Sequence, residues 1–201
     1  MDSARAGAAA VADGLPRGEA GASDRSPLLR RPLPVATLAP VFAGLAFASH
    51  PLGGGAVIAV FMAAVLVVLA ATDLERRIIP NRIVLPATAI VFVAQIAVSP
   101  DHAFEFILAA IVAGIFFLIP NLISPSLMGM GDVKLVVLLG AGLGAGVFGA
   151  VTIAFLGVFP FALATLVRGG LAARKTTLPF GPFLAFGGLV VLIVPHLLSL
   201  G

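Results

Sequence analysis

The chain has 201 residues, of which 60% are hydrophobic and only 10% charged, against about 25% charged in an ordinary soluble domain. It contains no cysteine, which excludes disulfides, a thiolate nucleophile and any cysteine-ligated zinc or iron–sulfur centre. The formal charge of +3 raises nucleic acid as a partner class, but the mean hydropathy of +1.17 makes basic, orienting membrane loops the simpler source of that charge, and no nucleic-acid partner is expected.

Residues 1–32 are rich in Ala, Gly, Ser, Pro and Arg. Such a segment buries no core, and the expectation is a disordered cytoplasmic tail preceding a membrane domain over 33–201. From there the chain reads as apolar segments at roughly 34–49, 55–72, 83–99, 104–123, 134–147, 149–167 and 181–199. None alternates polar and apolar residues as barrel strands would. Stretches of this kind are spanning helices, because a helix satisfies its own backbone in hydrocarbon. The expected fold is therefore an all-α polytopic bundle of about seven spans. The weakest division is between the fifth and sixth segments, at the glycine-rich run Gly140–Gly146.

Charge orients this bundle. Five arginines lie in the tail, Arg76, Arg77 and Arg82 follow the second span, Lys134 follows the fourth, and Arg168, Arg174 and Lys175 follow the sixth. With seven spans all twelve fall on one side, which places the N-terminus of a multi-pass membrane protein in the cytoplasm.

Among the acids, Asp73, Glu75 and Asp132 sit at the cytoplasmic ends of spans. Two crossings separate Asp73 from Asp132, and an even number returns the chain to the same face. Two neighbouring carboxylates hold one shared proton near neutral pH. Such a pair activates water and polarises a carbonyl with no metal or cofactor, and neither is expected here. The three histidines are too scattered to form a metal site. Gly129 and Gly131 leave the backbone beside Asp132 open to close approach. The plainer readings are an N-cap for Asp132, the end of a span for Asp73, and a lysine that snorkels to the headgroups for Lys134. Glu75 is the decoy if Asp73 is inert, and Pro179 and Pro182 would shape a loop before the last span.

The run Asp73-Leu-Glu-Arg-Arg-Ile-Ile-Pro80-Asn81, the Gly129-Met-Gly-Asp132-Val-Lys134 segment and the Leu178-Pro-Phe-Gly-Pro-Phe183 loop together resemble the type IV prepilin peptidases, the GxGD membrane aspartic peptidases. The resemblance implies an endopeptidase that removes the short basic leader from prepilins or pseudopilins at the cytoplasmic face, with Asp73 and Asp132 as the catalytic pair. It implies that Gly129 and Gly131 shape the site, with Lys134, Pro80 and Asn81 beside it. The family's long forms carry a cysteine-containing insert and also methylate the new N-terminus. This cysteine-free chain resembles the short form. The implied partners are a prepilin and the bilayer. The competing classes are a catalytically silent pilus-assembly subunit, a proton- or cation-coupled transporter, and a presenilin-type relative.

Overall fold

In the computed structural model the described residues are 33–50, 53–123, 128–169 and 180–198. They form seven α-helices and, among the described residues, no strand: α1 Leu33–Ser49, α2 Gly54–Arg76, α3 Asn81–Val98, α4 Ala103–Ile123, α5 Met130–Leu143, α6 Gly146–Gly169 and α7 Gly181–Leu198. A short 3-10 turn, Pro100–His102, joins α3 to α4. Each expected segment is a helix. The tail over 1–32, Pro179, Arg174 and Lys175 lie outside the described residues.

Four helical stretches among the described residues are long and apolar enough to cross a membrane: Gly54–Arg76, Asn81–Val98, Pro100–Ile123 and Gly146–Ala164. Thr37–Ser49 and Gly181–Val194 are shorter apolar helices. The few hydroxyls in these runs bond back to their own helices. Thr72 Oγ1 donates to the Leu69 carbonyl at 2.9 Å, Thr88 Oγ1 to Val84 at 2.7 Å and Thr152 Oγ1 to Phe148 at 2.8 Å. Their polarity is thereby met within the helix.

Helix α2 runs through the middle of the bundle, with 44% of its apolar window buried against 17% for α3. It packs on α1, α3 and α7, while α5 packs on α3, α4, α6 and α7. Met62, Leu66 and Leu69 of α2 meet Leu135, Leu138 and Leu139 of α5 and Leu184 of α7 in a fully buried core. Small residues let the helices come close. A Cβ on Gly140 would lie 2.6 Å from the Ala110 Cα, so α4 and α5 touch backbone to backbone there.

The boundaries of α2 and α5 differ most from the sequence expectation. Helix α2 continues through Asp73 to Arg76 because Leu74, Glu75 and Arg76 are good helix formers. Helix α5 begins at Met130 and ends at Leu143, four residues ahead of the apolar run at each end. Gly129 starts it, and Gly144, at φ +55°, ends it. The turn is held by Glu105, whose Oε1 accepts the Ala145 N–H at 3.0 Å. The division in the glycine-rich run is therefore real.

Candidate active site

The chain direction of the seven helices gathers three junctions at one end of the bundle: α2 to α3, α4 to α5, and α6 to α7. The first junction is sharp. Arg77 adopts the left-handed conformation, φ 53° and ψ 34°, and its N–H donates to the Asp73 carbonyl at 2.8 Å. Helix α2 cannot continue past this point, because Pro80 holds the residue before it in extended backbone. Ile79 turns inward, 6% exposed. Pro80 caps α3, its carbonyl accepting the Val84 N–H at 3.1 Å, and Asn81 is the first residue of α3.

Asp73 is thus fixed in the last turn of α2, and its side chain is buried, 7% exposed. The Gly181 N–H, at the start of α7, donates to its carboxylate, and the Arg77 guanidinium is close enough to act on its charge. Glu75 lies two residues further on, a spacing that turns it away from Asp73 around the helix.

At the second junction Asn121 Nδ2 donates to the Met128 carbonyl at 2.6 Å, tying the end of α4 to the segment that opens α5. Gly129 is the N-cap of α5, which makes Asp132 its third residue. The Asp132 carboxylate reaches back to the Gly129 N–H, one half of a capping box. The glycine spacing therefore has two separate causes. Gly131 faces Ile79: a Cβ there would stand 3.1 Å from the Ile79 Cβ, tighter than ordinary contact. Gly129 has ordinary backbone angles, φ −72° and ψ 140°, and a Cβ on it would meet Asp132 Oδ2 at 3.5 Å and the Gly131 nitrogen at 3.9 Å, both ordinary contacts. Crowding explains the glycine at 131 and does not explain the one at 129.

The packing of Ile79 on Gly131 brings the two acidic segments together. Asp132 lies in the first turn of α5, outside the four long spans. Its carboxyl is pushed up to about 7, first by burial and then by the charge of Asp73, against the opposing pull of the Gly129 N–H. The field of Asp73 at Asp132 puts the two acids in one site. A carboxyl that titrates near neutral pH beside a second acid has the chemistry to serve as acid and base without a metal. Lys134 Nζ donates to Asn81 Oδ1 at 2.6 Å, so Lys134 and Asn81 join the same assembly at its exposed rim.

The model of the type IV leader peptidase family matches residues 60–173. The chain belongs to this family. The matched stretch holds both aspartates and both junctions just described, and stops before Gly181. A curated relative, the prepilin leader peptidase/N-methyltransferase of Bacillus subtilis (strain 168), is 30% identical over 134 residues. That alignment covers 66% of this chain and 53% of the relative, so the chain spans about half the length of the relative it matches. No solved structure matches the chain.

Three members of the assembly carry no sequence signal of their own role: Ile79, Asn121 and Gly181. The Pro-Phe-Gly-Pro run points to a loop at the site, but draws attention to its prolines. The residue that reaches Asp73 is the glycine between them. A cavity of about 360 Å³ opens at the other end of the bundle, lined by His50, Met62, Gln95, Ser99 and Phe106 among others. It includes no acid, and His50 Nδ1 there lies 2.9 Å from the Ala46 carbonyl.

Proposed function

We propose that this leader peptidase family member is an aspartic endopeptidase, and that it removes the short basic leader from type IV prepilins or related pilin-like proteins. The observation that carries the reading is that buried Asp73 acts by its charge on Asp132, where the ends of three helix pairs meet. In the reaction the ionised aspartate takes a proton from water, and the protonated one donates a hydrogen bond to the scissile carbonyl oxygen. The water oxygen bonds to the carbonyl carbon. The carbon–nitrogen bond then breaks as the leaving nitrogen takes a proton from the pair. A leader carboxylate and a new pilin amine result, and the pair returns to one proton.

The site faces the cytoplasm in this reading, with the N-terminus on the same side of the inner membrane. Arg76, Arg77, Arg82 and Lys134 cluster at the junctions that hold the acids, as the positive-inside rule requires of a cytoplasmic end. The Bacillus relative is named for two activities. We assign only the peptidase step to this chain, since no cysteine occurs in it and the resemblance ties methylation to a cysteine-containing insert.

The test is co-expression with a prepilin and a gel-shift readout of leader removal. Wild type and Glu75→Gln should cleave; Asp73→Asn and Asp132→Asn should not. An uncleaved prepilin with wild type, across several prepilins, would favour the silent assembly subunit.

A further inference from the structure

Helix α7 begins against the end of α2. The Leu184 N–H bonds to the Phe180 carbonyl at 3.1 Å, so the N–H groups of Gly181 and Phe183 have no partner within the helix. One of them, on Gly181, donates to the Asp73 carboxylate. A helix N-terminus also favours a negative group placed against it. The approach is as close as a residue without a side chain allows. A Cβ on Gly181 would lie 2.5 Å from Asp73 Oδ2 and 2.9 Å from its Cγ. Gly181 is itself buried.

The start of α7 is held in place by aromatic packing. The Phe180 ring stands 6.0 Å from that of Phe117 on α4 and 5.2 Å from that of Phe155 on α6, and Phe117 and Phe155 are 6.4 Å apart. Tilted ring pairs at these separations attract one another beyond their buried area. The cluster fixes the chain one residue before the donor, and so fixes the donor.

We propose that Gly181 is a positioning residue for Asp73: its backbone N–H, set by the Phe117–Phe155–Phe180 cluster, holds the carboxylate in the orientation needed for water activation. The proposal rests on the peptidase reading above. It makes α7, which lies beyond the matched family segment, a working part of the site. Any residue larger than glycine at 181 would drive the carboxylate and the helix start apart. A displacement of about 1 Å in a reacting group is enough for a roughly hundredfold loss of rate.

The test compares purified wild type with Gly181→Ala, Phe180→Leu, Gly188→Ala and Asp73→Asn in leader cleavage, normalised to folded protein and recorded against pH. Gly188 is the steric control, since a Cβ there would lie 2.5 Å from Leu139 Cδ2, the same crowding with no carboxylate involved. Gly181→Ala should lose about tenfold or more in kcat at unchanged KM, and should shift the acid limb of the pH profile, because the displaced N–H acts on the charged form. Phe180→Leu, which adds no atom beside Asp73, should give a smaller kcat loss with the same shift. Gly188→Ala should melt at a lower temperature but keep the wild-type kcat and profile. A wild-type kcat and profile in both Gly181→Ala and Phe180→Leu, or losses matched by Gly188→Ala, would overturn the proposal. If Asp73→Asn is inactive in that case, only the positioning role fails. If Asp73→Asn cleaves normally, the peptidase reading fails with it.

Discussion

Lys134 Nζ donates to Asn81 Oδ1 at 2.6 Å across 53 residues of sequence. The bond links the two acidic segments at their rim, one residue from α3's N-cap and two from Asp132. It lies in an exposed setting, where a hydrogen bond to a charged group contributes on the order of 1 kcal/mol. Lys134→Ala and Asn81→Ala should each lower kcat/KM for leader cleavage by about tenfold or less. The double variant should be no worse than the weaker single, because both remove one bond. Additive losses in the double-mutant cycle would mean that the two side chains act independently.

The two glycines before Asp132 should behave differently. Gly131→Ala presses a methyl group against Ile79 at 3.1 Å, and overpacking of this kind costs about 1–3 kcal/mol. It also pushes the two acidic segments apart, so cleavage should fall by about a hundredfold. Gly129→Ala keeps the N–H that meets Asp132 and adds its methyl at ordinary contact distance. It should retain activity within a few-fold. Equal losses in cleavage assays of the two variants would contradict the separate roles.

The titration of Asp132 gives two pH predictions. Its carboxyl titrates near 7 in the folded protein rather than at the ordinary 3.8, so cleavage should decline as pH rises through about 7 and the shared proton is lost. The same shift acts on stability. The folded state holds this proton more tightly than the unfolded chain, so stability is highest below 3.8 and falls as pH rises towards 7. Asp132→Asn removes that loss. Its melting temperature in detergent should exceed the wild type's at pH 8 and match it near pH 4. A variant no more stable than wild type at pH 8 would show that Asp132 ionises without penalty.

Gly140 carries the close approach of α4 and α5, with the Ala110 backbone 2.6 Å from where its Cβ would lie. A backbone neighbour cannot rotate away as a side chain does. Gly140→Ala should therefore lower stability by about 1–3 kcal/mol, read as a lower melting temperature. Because the contact is within the bundle, Asp132 and its cap should keep their pH behaviour in the surviving folded fraction.

Most of the architecture was legible because hydropathy is a local signal. Each apolar segment became a helix, and Asp73 and Asp132 stood out as acids at the ends of apolar runs. Counting crossings put them at one end of the bundle, where the structure has them. The start of α5 was displaced because Gly131 and Asp132 look like loop residues to a hydropathy reading, whereas helix geometry places them in a first turn capped by Gly129. The role of Gly181 was not legible at all. A backbone N–H has no sequence signature, and its partner lies more than a hundred residues away. The bond between Lys134 and Asn81 was hidden for the same reason. Lysine near a membrane surface reads as a snorkelling side chain until its neighbour from α3 is known.

The central claim is that Asp73 and Asp132 act as one unit in hydrolysis. The most direct measurement is the cleavage rate of a purified prepilin by wild type, Asp73→Asn, Asp132→Asn and the double variant, each normalised to folded protein. Residues that act together are strongly non-additive. The account predicts that each single substitution lowers kcat by about a thousandfold or more and that the double variant is no slower. Near-wild-type cleavage by either single variant, or losses that multiply in the double, would contradict it.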